Sequence, residues 1–197
     1  MTKDELITLF TSIGIPRRFW ETVPTDYFGD KEAIKAVTRY VDANKKVFIR
    51  GLGLMLTGGR DSGKTFLASI LLKELFMKGY SCTYTTLSEL TTAMIQPVPG
   101  QFFHKDIVAP DFLVIDGIDE FNEGSKTALR RVITRRRDEA KPLILCTVFP
   151  YEENAGVLPA SLGTDFERFM STARVVECSV NPFLVSKHYR KLNKYGV

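Results

Sequence analysis

Eight consecutive residues match a pattern that binds phosphate. Residues Gly58 to Thr65 read G-G-R-D-S-G-K-T, which fits G-x-x-x-x-G-K-[ST] at every fixed position. Glycines let the backbone of such a loop wrap around several negative charges and point its N–H groups at them. We expect Lys64 to contact the β- and γ-phosphates of a nucleoside triphosphate, and Thr65 to bind Mg²⁺. The residues predicted to contact the nucleotide are Gly58, Gly59, Arg60, Asp61, Ser62, Gly63, Lys64 and Thr65.

The surroundings of the loop favour this interpretation over a chance glycine-rich turn. An apolar stretch at 53–57 predicts a strand before it, and residues 66–78 predict an apolar helix after it, ended by Gly79. The loop therefore leads into a helix N-terminus, where the helix dipole favours a bound anion.

An acidic residue at the end of a second apolar run predicts the other half of a metal site. Residues 111–116 read D-F-L-V-I-D and suit a strand buried on both faces. Mg²⁺ held by Thr65 and phosphates needs a carboxylate nearby, and Asp116 fits that need. A surface or capping role is the alternative for Asp116, but the complete phosphate loop favours the metal. The predicted cofactors at this point are a nucleoside triphosphate and Mg²⁺.

Apolar periodicity predicts alternating helices and strands along the whole chain. Predicted helices cover 2–12, 30–42, 66–78, 88–96 and 125–139, and predicted strands cover 53–57, 81–86, 111–116, 142–147 and 174–178. The helix at 30–42 is expected to lead directly into the first strand. This order predicts an α/β fold, a P-loop nucleotide-binding core with five mainly parallel strands between helices.

The chain divides into two predicted parts. Residues 1–13 form a short N-terminal helix with a possible role in partner docking, and 14–197 form the nucleotide-binding core. Little or no helical lid is expected after the last strand.

Composition narrows the class of protein. The chain has 197 residues, of which 44% are hydrophobic, enough for one sizeable core. Its net charge of +4 permits contact with nucleic acid without demonstrating it. Three cysteines stand singly, without metal-ligand spacing, and are expected to be buried reduced thiols of a cytoplasmic protein. No apolar run reaches the length of a membrane span, so no membrane partner is expected.

An ordered set of short motifs resembles one known family. These motifs are 14–19 (G-I-P-R-R-F), 51–58 (G-L-G-L-M-L-T-G), 87–90 (L-S-E-L), 112–116 (F-L-V-I-D), 141–145 (K-P-L-I-L) and 167–169 (E-R-F). Together they resemble the bacterial and phage helicase-loader ATPases of the AAA+ class (DnaC-like) and the related transposase helpers (IstB-like). The resemblance covers nearly all of the chain from Gly14 onward.

The resemblance implies roles for residues outside the phosphate loop. Arg168 corresponds to the arginine that such proteins insert into the nucleotide site of a neighbouring subunit, which implies a homo-oligomeric ring or spiral. An ordinary surface arginine is the alternative. Residues 15–19, with Phe19, would lie against the adenine base.

Two departures from the family pattern bear on hydrolysis. The acid that usually follows the metal-binding aspartate is replaced here by Gly117. Asp119 or Glu120 can substitute only if the chain bends, since on a straight strand Asp119 lies about 7 Å beyond Gly117. The usual asparagine that closes the fourth strand is replaced by Thr147, or by Val148 if the register shifts by one. The hydroxyl of Thr147 can still orient water, whereas a valine cannot. We therefore expect ATP binding with slow or conditional hydrolysis.

A basic helix predicts contact with single-stranded DNA. The positions expected to contact DNA are Lys126, Arg130, Arg131 and Arg137, whereas Arg136 lies near the apolar stripe of the same helix. A solvated helix face is the alternative interpretation.

The function that the sequence favours is an ATP-dependent loader that delivers a replicative hexameric helicase onto single-stranded DNA. A transposase helper, or an adaptor that binds nucleotide without hydrolysing it, is the alternative that Gly117 keeps open. A small-molecule P-loop kinase is disfavoured, because such kinases usually begin with the phosphate loop and here 57 residues precede it.

Overall fold

The structure is a computed structural model that describes residues 2–96, 107–119, 122–149 and 162–179. The helices of these residues are α1 (Lys3–Ser12), α2 (Lys31–Asp42), α3 (Asn44–Arg50), α4 (Lys64–Met77), α5 (Leu87–Ile95), α6 (Glu123–Asp138) and α7 (Thr164–Met170). The strands are β1 (Leu54–Thr57), β2 (Cys82–Thr86), β3 (Phe112–Ile118), β4 (Leu143–Thr147) and β5 (Arg174–Glu177). Two short 3₁₀ helices lie at Arg17–Phe19 and Pro24–Asp26.

The five strands form one sheet in the order β2-β3-β4-β1-β5, and every neighbouring pair is parallel. Alternate residues of the strands face two apolar cores. Leu54, Leu56 and Val114 pack with α2 and α4 on one face, whereas Leu113 and Ile115 pack with α5, α6 and α7 on the other. The predicted α/β fold with a five-stranded parallel sheet between helices is confirmed.

Two predicted element boundaries are wrong. The helix at 30–42 does not lead directly into β1, because α3 intervenes and ends at Gly51 in the left-handed conformation (φ 59°). Only Val47 of α3 is buried, and a helix of two turns with one buried residue leaves no clear apolar period. In addition, β3 continues beyond Asp116 to Ile118, with a change of register between Ile115 and Ile118.

Arg136 is fully buried and holds two chain segments to α6. Its Nη1 donates to the carbonyl oxygens of Val108 (2.9 Å) and Pro110, and its Nη2 donates to those of Asp111 (2.7 Å) and Pro142. Burial lowers the pKa of the guanidinium to about 10, so it remains charged at neutral pH. The two segments that lead into β3 and β4 are therefore fixed by one cation.

Within the four described ranges, no helix combines the length and the apolar character that a membrane crossing requires. The three cysteines, Cys82, Cys146 and Cys178, are all buried and unpaired with one another. Burial raises the pKa of the Cys82 thiol to about 12, with Asp111 adding to the effect, so this thiol is protonated and unreactive at neutral pH.

Replacing Arg136 with methionine is expected to destabilise the fold strongly. The change Arg136→Met introduces an apolar side chain and leaves four carbonyl groups without their donor, two of them in buried hydrogen bonds. We expect the free energy of unfolding in urea to fall by at least about 3 kcal/mol. Arg130→Ala is the matched control, an exposed arginine of the same helix, and should change stability by no more than about 0.5 kcal/mol. Equal losses in the two variants would contradict the role given to Arg136.

Candidate nucleotide-binding site

The phosphate loop connects β1 to α4 through a backbone that turns sharply. Gly58 (φ 136°), Asp61 (φ 58°) and Gly63 (φ 88°) all have positive φ angles. Gly63 is the N-cap of α4, and no side chain caps the N-terminus of this 14-residue helix. The first-turn N–H groups of α4 and its dipole therefore favour an anion at this end.

Lys64 lies under the curve of the loop. Its side chain is buried, and Nζ donates to the carbonyl oxygens of Gly58 (2.6 Å) and Gly59 (2.7 Å) and to Ser62 Oγ (3.3 Å). The ammonium group therefore lies directly beside the turns of the loop backbone. Phosphate oxygens are stronger acceptors for an ammonium than neutral carbonyls, so they can compete for it. Arg60 is exposed at the tip of the loop, whereas Ser62 is buried.

Asp116 and Thr65, the two residues predicted from the sequence to hold a metal ion, are hydrogen-bonded to each other. Thr65 Oγ1 donates to Asp116 Oδ2 at 2.6 Å, although the two residues are 51 positions apart. The same Oδ2 accepts a second hydrogen bond from Tyr84 OH (2.6 Å), and Oδ1 accepts one from the N–H of Gly117 (2.7 Å). Burial, reinforced by Asp116, raises the pKa of Tyr84, so its phenol stays protonated and acts as a donor.

These oxygen ligands fit Mg²⁺. Mg²⁺ prefers hard oxygen donors and is usually bound through one or two carboxylates together with phosphates and water. The described residues contain no group of three or more His, Cys, Asp or Glu side chains that would suit a softer or fully protein-bound metal. Asp116 and Thr65 would hold the ion, which would supply positive charge to neutralise the phosphates when bound.

The chain bends directly after Asp116. Gly117 has φ 72°, and the β3–β4 register changes between Ile115 and Ile118. Gly117, Asp119 and Arg60 line one cavity of about 580 Å³ at this end of the sheet. The bend that an acid at Asp119 requires is therefore present. Glu120 lies outside the described residues.

Thr147 uses its hydroxyl within the protein. Thr147 is fully buried, its Oγ1 donates to the carbonyl oxygen of Ile118 (2.8 Å), and it accepts from the N–H of Phe149 (3.3 Å). The contact with Ile118 fixes the end of the bend in β3. Arg168 is exposed on α7, while Phe166 and Phe169 of that helix are buried against the core.

Two aromatic rings lie beside the start of α4. Phe19, the residue predicted to face the base, packs edge-on against Phe66, with ring centroids 6.0 Å apart. The ring of Tyr27 lies 5.6 Å from Phe66 and so close to Gly63 that a methyl group there would come within 2.6 Å of Tyr27 Cε2. Sequence reasoning missed Tyr27, because nothing in its local pattern sets it apart from the other aromatics of this irregular segment.

Lys73 of α4 fixes the segment that carries these rings. Its Nζ donates to the carbonyl oxygens of Phe19 (2.8 Å) and Thr22 and to Thr22 Oγ1 (3.1 Å). Burial lowers the pKa of Lys73. Sequence reasoning missed this contact, because Lys73 and its partners lie more than 50 positions apart and no local pattern relates them.

The predicted DNA-contacting residues differ in their surroundings. Lys126 pairs with Glu123 (2.8 Å), and Arg137 pairs with Asp138 (3.0 Å) and Asp165 (2.9 Å). Arg130 and Arg131 are exposed and line a cavity of about 510 Å³ that also contains acidic side chains. The surface of α6 is therefore of mixed charge.

The sheet order and the phosphate loop together define a P-loop α/β fold, which solved structures of other proteins share. One similar solved structure is the DnaC helicase loader, with a TM-score of 0.72 and 19% identity, covering 83% of this chain and all of that one. The DnaI structure has a TM-score of 0.65 and 20% identity, covering 85% of this chain and 96% of that one. AMPPCP-bound DnaA from Aquifex aeolicus has a TM-score of 0.68 and 16% identity, covering 93% of this chain and 57% of that one.

No family model and no curated protein matches the sequence. At identities of 16 to 20%, the structural likenesses establish the fold.

Replacing Gly117 with alanine tests the bend. A Cβ at Gly117 meets nothing within 4 Å, so the cost of Gly117→Ala comes from its positive φ alone. We expect the free energy of unfolding in urea to fall by about 1–2 kcal/mol. Gly59→Ala is the matched control, since a Cβ there also meets nothing within 4 Å and Gly59 has no positive φ. Its stability should change by less than about 0.5 kcal/mol. If Gly117→Ala is equally harmless, the strand does not require this bend.

Proposed function

We propose that the protein is an ATP- and Mg²⁺-binding helicase loader in DNA replication. The observation that carries this proposal is the hydrogen bond between Thr65 and Asp116 behind a complete phosphate loop. It brings a hydroxyl and a carboxylate together at the uncapped N-terminus of α4, beside the buried ammonium of Lys64. Positive charge, N–H donors and hard oxygen ligands thus share one small volume, which suits a magnesium–triphosphate complex.

The assignment to replication rests on the fold and on sequence motifs. The DnaC helicase loader and DnaI share this fold over nearly their whole solved length. The motifs quoted from the sequence resemble the same class of loaders. We infer that the partner is a replicative hexameric helicase and that the product of loading is helicase on single-stranded DNA, in the cytoplasm.

Helix α1 is the segment that we assign to partner docking. Its Leu6, Ile7 and Phe10 line a mainly apolar groove of about 480 Å³ together with Trp20 and Met77. Leu6 and Ile7 are half-buried and Met77 is exposed, so apolar area faces solvent there. A groove of this kind suits an apolar helix of a partner.

Hydrolysis is proposed to be slow or conditional. Gly117 supplies no side chain where related ATPases place an acid. The hydroxyl group of Thr147 already donates its proton to the carbonyl oxygen of Ile118. Asp119 is the remaining acid that lines the same cavity as Arg60. The specific observation at Gly117 also favours a second function, a nucleotide-dependent adaptor or transposase helper that does not turn over ATP.

Two surface features complete the proposal. Arg130 and Arg131 of α6 are assigned to the DNA backbone. Lys126 and Arg137 would contribute by exchanging their carboxylate partners for DNA phosphates, because surface ion pairs of this kind stabilise the fold little. Arg168, exposed on α7, is assigned to the nucleotide site of a neighbouring copy in a ring or spiral.

Nucleotide binding is expected to depend on Lys64. The change Lys64→Ala removes one charge-assisted contact to phosphate, which is worth about 1.5–3 kcal/mol, so ATP affinity should fall roughly 10- to 100-fold. Isothermal titration calorimetry with ATP and Mg²⁺ measures the difference. Lys78→Ala, an exposed lysine at the other end of the same helix, should leave the affinity unchanged. If the wild-type protein shows no ATP affinity, the proposed function is wrong.

Helicase binding is expected to require both nucleotide and α1. In ATP and Mg²⁺ the protein should co-elute with the replicative helicase of its own host and raise the amount of helicase retained on circular single-stranded DNA. The change Ile7→Asp places a charge in the groove of α1, so it should abolish co-elution while ATP affinity stays within about twofold. Thr8→Asp, on the exposed side of α1, is the matched control.

The outcomes separate the two functions. Co-elution with a transposase and not with the helicase would replace the loader by the transposase helper. Binding to neither protein would overturn both. Turnover measured with and without single-stranded DNA separates the adaptor from the ATPase, because an adaptor releases no phosphate in either case.

A further inference from the structure

Tyr84 touches the metal-binding carboxylate although no phosphate-loop motif includes it. Its hydroxyl group donates to Asp116 Oδ2 at 2.6 Å, the same length as the hydrogen bond from Thr65 to that oxygen. The ring is buried in the core between the sheet and α4.

The three donors restrict what Asp116 can accept next. An ionised carboxylate offers about four acceptor positions. Thr65 and Tyr84 occupy Oδ2, and the N–H of Gly117 occupies one position on Oδ1. The carboxylate is therefore held at both oxygens, and about one position on Oδ1 is left to receive a further donor. A carboxylate held in this way loses little rotational freedom when a metal-bound water arrives.

The backbone of Tyr84 is also held on both sides. On one side β2 pairs with β3, in the register Tyr84 to Val114. On the other side, at the edge of the sheet, the N–H of Tyr84 donates to the carbonyl oxygen of Ile13 at 2.7 Å. Ile13 is the C-cap of α1, so the end of this helix supports the residue that supports Asp116.

We propose that Tyr84 is a positioning residue for Mg²⁺, which holds the Asp116 carboxylate in the orientation that accepts a metal-bound water. This inference rests on the proposed nucleotide function. A purely structural tyrosine would contribute equally to nucleotide binding with and without the metal, whereas a positioning residue contributes only when Mg²⁺ is present.

The experiment measures how much Mg²⁺ strengthens binding of the ATP analogue AMPPCP, which is not hydrolysed. Calorimetric titrations in Mg²⁺ and in EDTA give two dissociation constants, and their ratio is the Mg²⁺ enhancement. The change Tyr84→Phe keeps the ring and removes the hydroxyl group. We expect the enhancement to fall by about tenfold, the size found for groups that orient a metal ligand. The dissociation constant in EDTA should stay within about twofold.

Tyr80→Phe is the matched control. The hydroxyl group of Tyr80 donates to Asn44 Oδ1 at 2.9 Å and thus to a residue of α3, which the proposed metal site does not include. This variant loses one hydrogen-bonded phenol, like Tyr84→Phe, and should keep the full Mg²⁺ enhancement. In the background Asp116→Asn, the change Tyr84→Phe should have no further effect on the enhancement, because the group that it orients is already altered.

Each result decides between the two proposals. If wild type binds AMPPCP with a clear Mg²⁺ enhancement and Tyr84→Phe keeps it, the role of Tyr84 is wrong and the nucleotide function stands. Loss of affinity in EDTA as well as in Mg²⁺, or failure of Tyr84→Phe to fold, would make Tyr84 structural and also overturn the inference. Absence of any binding by wild type would overturn the proposed function.

Discussion

The site depends on one hydrogen bond that joins two strand ends across the sheet. Asp116 lies near the end of β3 and Thr65 lies at the start of α4, which follows β1, and β4 separates β1 from β3. Parallel pairing brings the carboxyl ends of these strands to the same edge. If the register of β3 against β4 slipped by one residue, Asp116 would point to the opposite face of the sheet. The buried pairs along these strands therefore set the geometry of the candidate metal site.

The parallel sheet could be predicted because its strands are short apolar runs between clear helices. The elements that escaped prediction are those whose stability comes from partners distant in sequence. Helix α3 buries little of its own surface and is ended by Gly51 in a left-handed conformation. Arg136 was placed near the apolar stripe of α6, but its four carbonyl partners lie on two other segments. No local pattern encodes such contacts.

The candidate site likewise contains residues that could be predicted from the sequence and residues that could not. The phosphate loop and the Asp116–Thr65 contact could be inferred from spacing, because a triphosphate and its metal impose fixed residue types at fixed distances. Tyr84 could not, since a tyrosine in an alternating strand has the pattern of an ordinary core residue until its hydroxyl group is located. Tyr27 and Lys73 escaped for a similar reason. Tyr27 belongs to the irregular segment before the core and Lys73 binds that segment, and the path of the segment depends on tertiary contacts.

The edge strand β2 lies between α1 and the candidate nucleotide site and contacts both. Helix α1, the segment assigned to the partner, ends at Ile13, whose carbonyl oxygen binds the N–H of Tyr84. From Tyr84 the contacts run to Asp116 and on to Thr65 of the phosphate loop. Contiguity alone does not make a switch, since a ligand shifts an equilibrium only by the difference of its affinities for two states. The chain nevertheless joins the C-cap of α1 to the Asp116 carboxylate through a single intervening residue, Tyr84.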